Sequence, residues 1–358
     1  MSDLEIVRRR MAAQGLGAAR AESPAEVVRR LGAMQAQEFA EAKWSIAERM
    51  AGEPTEADID AAFDRGEIVR THVLRPTWHF VAPEDLRWMQ ALTAPRVRAA
   101  NRYWYAQLGL DDDLLGRCTG VIANALADGE PRTRKELRAA LSGAGIEIEG
   151  PALAYATHHA ELECVICSGP RRGKQQTHVL ADARLPATPE RTRDEALAEL
   201  TRRYFTGHGP ATPHDFAWWS GLTVTDARAG IESLGDELAS EEGPGGDVLH
   251  APPSAPGPAE STGGHLIPMY DELGVAFQGL RMVYAEDPPD GVMARPILID
   301  GVTVGSWRRV IGAGGVSLEA TLITDLGSAG SAAIDRVAER FGRFLGLPIS
   351  VTPERARS

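Results

Sequence analysis

Two glutamines two positions apart, Gln35 and Gln37 in the run Leu31-Gly-Ala-Met-Gln-Ala-Gln-Glu38, form the first candidate for chemistry in this chain. A carboxamide is not a strong general base, but its one oxygen and two N–H groups can hold a water or a base edge. Positions two apart on a helix differ by about 200° of rotation, so a regular helix would turn the two amides to nearly opposite sides. For both to serve one site, the run must lie at a helix end or a bend. Glutamines are also common on helix surfaces, so the spacing by itself does not make a site.

Other residues offer weaker alternatives. Within Arg75-Pro-Thr-Trp-His-Phe80, strand alternation puts Trp78 and Phe80 on one face and His79 on the other. His79 then reads either as an ordinary strand histidine or as an exposed one able to touch DNA or give general-acid help. Arg171, Arg172 and Lys174 are either a solvated turn or a basic tip that meets phosphates. Asp271 in Pro268-Met-Tyr-Asp-Glu272 is either a surface carboxylate or a support for a site, and Arg308 and Arg309 point into a groove or end a strand. Cys164 and Cys167 have the spacing of half a zinc site, but no second such pair follows. Inside a strand, positions three apart face opposite sides, so packing is the expectation and no metal or cofactor is called for.

The elements that position these residues follow from periodicity and caps. Leu4, Val7, Met11 and Leu16 have helical spacing, with Gly15 and Gly17 as stops. Ser23-Pro24 starts a second helix that runs toward the glutamine pair. Phe39 to Met50 continues as helix, and Thr55 opens another that Gly66 closes. Ile68 to Val81 alternates and is β-rich, which predicts a strand pair. Three helices followed by a β-ribbon is the winged-helix pattern. It recurs in 112–180, where Thr133-Arg-Lys-Glu136 has capping-box spacing and a hairpin carries the basic tip at 171–174. A third copy starts at Arg193 and places Thr223–Leu234 as the second helix of a helix-turn-helix. With only Arg228 as a base beside Asp226 and Glu232, that helix is a poor major-groove reader.

Residues 240–264, rich in Gly, Pro, Ser and acid, read as a mobile hairpin tip or linker. Beyond them Ile297–Trp307 forms a hairpin around Asp300-Gly301, Ser317–Ile323 another strand, and 331–345 a closing helix. The expected class is α+β, with tandem winged-helix modules at 1–95, 96–186 and 187–264 and a C-terminal β-barrel-like domain at 265–358.

Composition limits the setting. With 358 residues, 43% hydrophobic and 25% charged, the chain fits a multidomain globular protein. It has no apolar run of membrane-spanning length, its first residues do not form a signal-peptide pattern, and its three cysteines oppose a disulfide framework. A cytoplasmic monomer is expected. The net charge of −12 argues against nucleic acid only until it is mapped. Residues 226–290 hold 13 Asp and Glu against two Arg, nearly the whole excess, so a basic groove elsewhere is allowed.

Taken together, Met34-Gln-Ala-Gln37, Leu74-Arg-Pro-Thr-Trp-His79, Gly169-Pro-Arg-Arg-Gly-Lys174, Pro268-Met-Tyr-Asp-Glu272 and Gly305-Ser-Trp-Arg-Arg309 resemble the AlkZ/YcaQ-type winged-helix DNA glycosylases over nearly the whole chain. The resemblance implies three winged helices and a C-terminal barrel around a DNA channel. It also implies excision of bulky N-alkylated purines from double-stranded DNA, including unhooking of interstrand crosslinks. Gln35 and Gln37 match the Gln-apolar-Gln form of the catalytic motif. The residues then expected at the DNA are Lys43, Arg75, Trp78, His79, Arg171, Arg172, Lys174, Gln176, Arg308 and Arg309. Two other readings stand beside this one: a non-catalytic winged-helix regulator or lesion-sequestering protein, and a protein-interaction scaffold.

Overall fold

Helix caps and glycine stops set the N-terminal element order in the computed structural model, which describes residues 1–18, 20–258, 263–279, 281–287 and 294–356. Helix α1 (Asp3–Ala13) is followed by α2 (Pro24–Leu31), where Ser23 Oγ accepts from Glu26 N. Gly32, at φ 74°, turns the chain out of α2 into a three-residue strand, β1 (Ala33–Gln35). A non-glycine residue would be strained there. Helices α3 (Phe39–Glu48) and α4 (Glu56–Arg65) follow, then β2 (Val69–His72), β3 (Trp78–Val81) and the long α5 (Leu86–Gln107), which runs through position 95 with Pro95 inside it.

The second unit contains α6 (Asp112–Ala125), β4 (Arg132–Thr133), α7 (Arg134–Gly143), α8 (Gly150–Leu162), β5 (Ile166–Ser168), β6 (Thr177–Leu180) and the short α9 (Ala181–Arg184). The third contains α10 (Arg193–His208), α11 (Pro213–Ser220), α12 (Val224–Leu234) and the hairpin β7 (Ala239–Glu242) and β8 (Val248–Ala251). Capping boxes at Thr55, Thr133, Thr192, Thr212 and Thr223 each tie a threonine to an acid three residues on. The C-terminal unit comprises β9 (Gly264–Leu266), α13 (Glu272–Val275), β10 (Val283–Tyr284), β11 (Pro296–Ile299), β12 (Val302–Gly312), β13 (Gly315–Leu322), α14 (Ser328–Leu345) and β14 (Ile349–Arg355).

The expected mixed α+β class holds, but three details differ. The glutamine run is not the end of a helix: β1 pairs antiparallel with β3, in the sheet order β1-β3-β2. The C-terminal strands, ordered β14-β13-β12-β11-β9 with β10 against β12, form an open sheet among the described residues and not the barrel expected. Much of the supposed linker is the β7–β8 hairpin, bridged to Ala211 through His250, while 259–262 lie outside the described residues. Among the described residues, no helix is long and apolar enough to cross a membrane.

Packing makes the first unit the hub. One face of it shares a core with the C-terminal sheet and α14, with the Trp44 ring 4.9 Å from Phe341 and 5.2 Å from Phe344. Its other face shares a second core with α10, α11 and α12, while the second unit has a core of its own. A polar stripe on α3 reinforces the first contact, because residues three and four apart lie on one helix face. Glu41 holds Arg295 at 2.8 Å and the Met269 N–H at 2.9 Å. The Trp44 indole donates to Leu266 O at 2.8 Å, and Glu48 accepts from Leu266 N at 3.0 Å.

Arg49 and Asp271 close this stripe. Both guanidinium nitrogens reach the carboxylate at 2.8 Å, Ser45 Oγ donates to it as well, and Asp271 is only 3% exposed. The surface carboxylate considered for Asp271 is therefore excluded. Burial pushes its carboxyl up, but the charge and hydrogen bonds of Arg49 outweigh that, and its pKa falls below the ordinary value. Removing one member of such a pair strands the other charge. Asp271→Ala is expected to lose about 3–5 kcal/mol in urea denaturation, and Arg49→Met/Asp271→Leu to recover much of that.

Candidate functional site

Gln35 occupies the outer edge of the β1-β3-β2 sheet, directly across from His79. Its side-chain oxygen accepts from Arg75 Nη2 at 2.9 Å, and its backbone N–H, which faces away from β3, donates to Glu272 Oε1 at 2.6 Å. One residue on, the Ala36 N–H turns back to Trp78 O at 2.6 Å. Gln37 is exposed in the turn before α3, and its oxygen accepts from Trp78 N at 3.4 Å. The run is thus a strand followed by a turn and not a helix, with the Gln35 oxygen held by Arg75 and the Gln37 oxygen by the Trp78 N–H. Because positively polarised donors hold both oxygens, each side-chain NH2 group stays free to donate elsewhere.

Arg75 comes from a tight loop in which Leu74 sits at φ 65°. Burial pushes its guanidinium down, against the charge of Glu272. The third unit presses on that loop. A Cβ on Gly221 would lie 2.4 Å from Leu74 O, so only glycine lets α11 end there.

The basic turn of the second unit reaches the same place. The Arg171 guanidinium lies 4.4 Å from the centre of the Phe39 ring, two residues after Gln37, and its backbone N–H donates to Asp64 at 2.9 Å. Arg172 pairs with Glu136 at 2.7 Å, while Lys174 is exposed at the tip. Gln176 accepts from Arg70, a residue with no motif or spacing to mark it. Arg70 also donates to Ala36 O at 2.9 Å and Gln37 O at 3.3 Å, and lies 4.3 Å from the Trp78 ring centre. Burial pulls its pKa down to about 10, which leaves it cationic near neutral pH. Its backbone N–H reaches Ser168 Oγ at 2.8 Å and so joins the first unit to the second. At the same junction Glu161 takes His72 and, at 3.4 Å, His178.

Several expected DNA contacts prove to be internal. Lys43 is 3% exposed and held by Glu56 and Asp60, each at 2.8 Å, so it is not a surface cation. Trp78 is 9% exposed under Arg70, with its ring centre 4.0 Å from the tilted ring of His72. His79 is fully buried, not exposed. The alternation argument assumed one open face, whereas β3 is the middle strand and all four of its residues are buried. Arg308 and Arg309 are not internal: Arg308 is exposed and pairs with Glu319 across β12 and β13, and the half-buried Arg309 lies over Phe341 at 5.9 Å. Cys164 sits in a left-handed turn after α8, not in the strand expected, and burial pushes the Cys167 thiol up to about 12. Among the described residues, no group of three metal-binding side chains is arranged to hold an ion.

Glu272, adjacent to the residue singled out by sequence, is the nearer carboxylate. It is 1% exposed, and besides Gln35 it takes the Trp219 indole N–H at 3.0 Å and lies 3.3 Å from His208 Nε2. Burial pushes its carboxyl up, but the hydrogen bond and charge of His208 and the Gln35 N–H outweigh that and hold it below the ordinary value. No spacing rule would have found it, since two adjacent acids look like surface.

His79 Nδ1 donates to Thr77 O at 2.9 Å, and burial, aided by Arg75, drives its pKa down to about 3. The folded protein therefore keeps this ring neutral where the unfolded chain, near pH 6.5, begins to take up a proton. Stability falls as pH drops from about 6.5 toward 3, by about 1.4 kcal/mol per pH unit for this one group. His79→Asn should flatten the dependence of urea-unfolding free energy on pH between 6 and 4.5 by about that slope.

Comparison with known proteins comes to the same place as the geometry. The family model described as DNA glycosylase AlkZ-like matches residues 28–344. A curated relative from Streptomyces sahachiroi, an interstrand DNA cross-link repair glycosylase, is 28% identical, with 80% of this chain and 82% of the relative covered. The solved structure of Streptomyces sahachiroi DNA glycosylase AlkZ superposes with a TM-score of 0.76 at 23% identity, covering 98% of this chain and all of that one. The chain, with Gln35 on a strand edge and Gln37 in the turn that follows, belongs to the AlkZ-like DNA glycosylase family.

Proposed function

We propose that the protein is a monofunctional DNA glycosylase that hydrolyses the N-glycosidic bond of bulky, N-alkylated purines in double-stranded DNA, including those in interstrand crosslinks. The observation that carries this reading is the pairing of Gln35 and Gln37 where Arg70, Arg75 and Arg171 converge. A purine alkylated at N7 is already cationic, so its bond to the sugar breaks without a proton donor. What remains is to stabilise an oxocarbenium-like sugar and deliver water to it, which two fixed amides do by position and dipole. The relative's name, an interstrand cross-link repair glycosylase, supports the crosslink part. We read the three helix-and-sheet units as winged helices, with the 171–174 tip on the phosphates.

A duplex carrying one N7-alkylguanine, followed by alkaline strand cleavage, tests the reading. Wild type should yield abasic sites, and Gln35→Ala and Gln37→Ala should each slow release by about a hundredfold or more while binding persists. Tight, salt-sensitive binding without release would instead make the protein a sequestering or regulatory one. Neither release nor binding would leave a scaffold.

A further inference from the structure

An edge strand of three residues has little of its own to hold it. On one side β1 is bonded to β3, but on the other the Gln35 N–H points away from the sheet, where a neighbouring strand would normally accept it. Glu272 supplies the acceptor instead, at 2.6 Å. Its second oxygen is occupied by Trp219 Nε1 at 3.0 Å and faces His208 Nε2 at 3.3 Å. Its own backbone is fixed too: Gln14 Nε2 donates to Glu272 O at 3.2 Å, and the preceding Asp271 is clamped by Arg49. Four separate parts of the chain therefore meet at one residue: α1's C-terminal cap at its backbone carbonyl, β1 and the α10–α11 pair at its carboxyl group, and the start of α13, which carries it.

From this arrangement, and resting on the glycosylase reading above, we infer that Glu272 is a positioning residue for the reaction: by holding the Gln35 N–H it sets where the Gln35 amide stands relative to Gln37 and the reacting sugar. It does not touch the substrate. Its two oxygens are taken up behind the strand by the Gln35 N–H and the Trp219 indole, beside His208, and it acts through Gln35. A carboxylate suits this task because both its oxygens accept. A glutamine in its place would meet Gln35 and Trp219, both donors, with only one oxygen, and would turn its NH2 group toward the other.

The test compares Glu272→Gln with wild type in single-turnover base release from the N7-alkylguanine duplex, with duplex dissociation constants and melting temperatures measured on the same preparations. The expected result is about a hundredfold slower release, the scale for a misplaced catalytic group, with duplex affinity nearly unchanged. Added to Gln35→Ala, the same substitution should cause little further loss, because its effect passes through Gln35. Trp219→Phe, which removes one donor and keeps an aromatic ring, should give a smaller loss of the same kind and serves if Glu272→Gln does not fold. Release at the wild-type rate, weaker binding with an unchanged release rate, or losses that multiply in the double variant would each overturn the inference. Hydrogen exchange of the Gln35 amide reads the clamp without any activity. Faster exchange in Glu272→Gln supports it and unchanged exchange overturns it, even if wild type releases no base and the glycosylase reading itself fails.

Discussion

Two adjacent carboxylates, Asp271 and Glu272, are taken out of water at the start of one short helix, and most of the inter-unit geometry follows from what that requires. An ionised carboxylate in a dry interior costs several kcal/mol unless donors surround it. Asp271 finds Arg49, Ser45 and the Leu273 N–H; Glu272 finds Gln35, Trp219 and His208. These partners come from the first unit, the third unit and the C-terminal segment itself. None can withdraw without leaving a buried charge short of a partner, so the units are held in register even though a buried ion pair adds little net stability over an apolar one. Stability at this junction comes instead from the aromatic core of Trp44, Phe341 and Phe344.

Charge is sorted along the same lines. The chain is strongly acidic in total, yet around the glutamines the named cations are arginines: Arg70, Arg75 and Arg171. Arginine is the residue that keeps its charge when partly buried, while a lysine in such a place sheds its proton more readily. Lys43, one of the two lysines expected at the DNA, is instead neutralised by two acids. Much of the acidic excess lies in the β7–β8 hairpin and its neighbours, where Glu241 and Asp247 meet Arg9 and Arg281. Local field, not net charge, governs what such a surface attracts.

What was legible in the sequence was local. Thr133 announced a helix start by an acid three residues on, a spacing that four further capped helices share, and Asp300-Gly301 announced a hairpin because both residues take positive φ, 51° and 84°. The glutamine pair was visible, but its strand was not. Three residues are too few to alternate, and β1 exists only because β3 accepts it. The burial of His79 was misjudged for a related reason, since alternation tells inside from outside only when one face of a sheet is open. The boundary expected at position 95 falls inside α5, which continues through Pro95. Glu272 and Arg70 carry no local signal at all, since the side chain of each is defined by partners on other elements, 53 and 237 residues away for Glu272 and 33 to 106 for Arg70.

The neutrality of His79 bears on which bases the proposed enzyme can release. A glycosylase that removes an unmodified purine must supply a proton to the departing base, and histidine is the side chain most readily poised to do so near neutral pH. Here the histidine opposite Gln35 is dry, has an arginine beside it, and has a pKa of about 3, so it cannot be a charged donor under working conditions. The buried acid next to the motif, Glu272, is held below its ordinary pKa and is therefore no proton donor either. With the Gln35 and Gln37 amides at the reacting face, as proposed, and neither His79 nor Glu272 a proton donor, the leaving group brings its own positive charge. On the proposed reading, discrimination against normal DNA then resides in the bond that is cleaved and not in a tight pocket, which leaves room for a base whose substituent is bulky or tethered to the opposite strand.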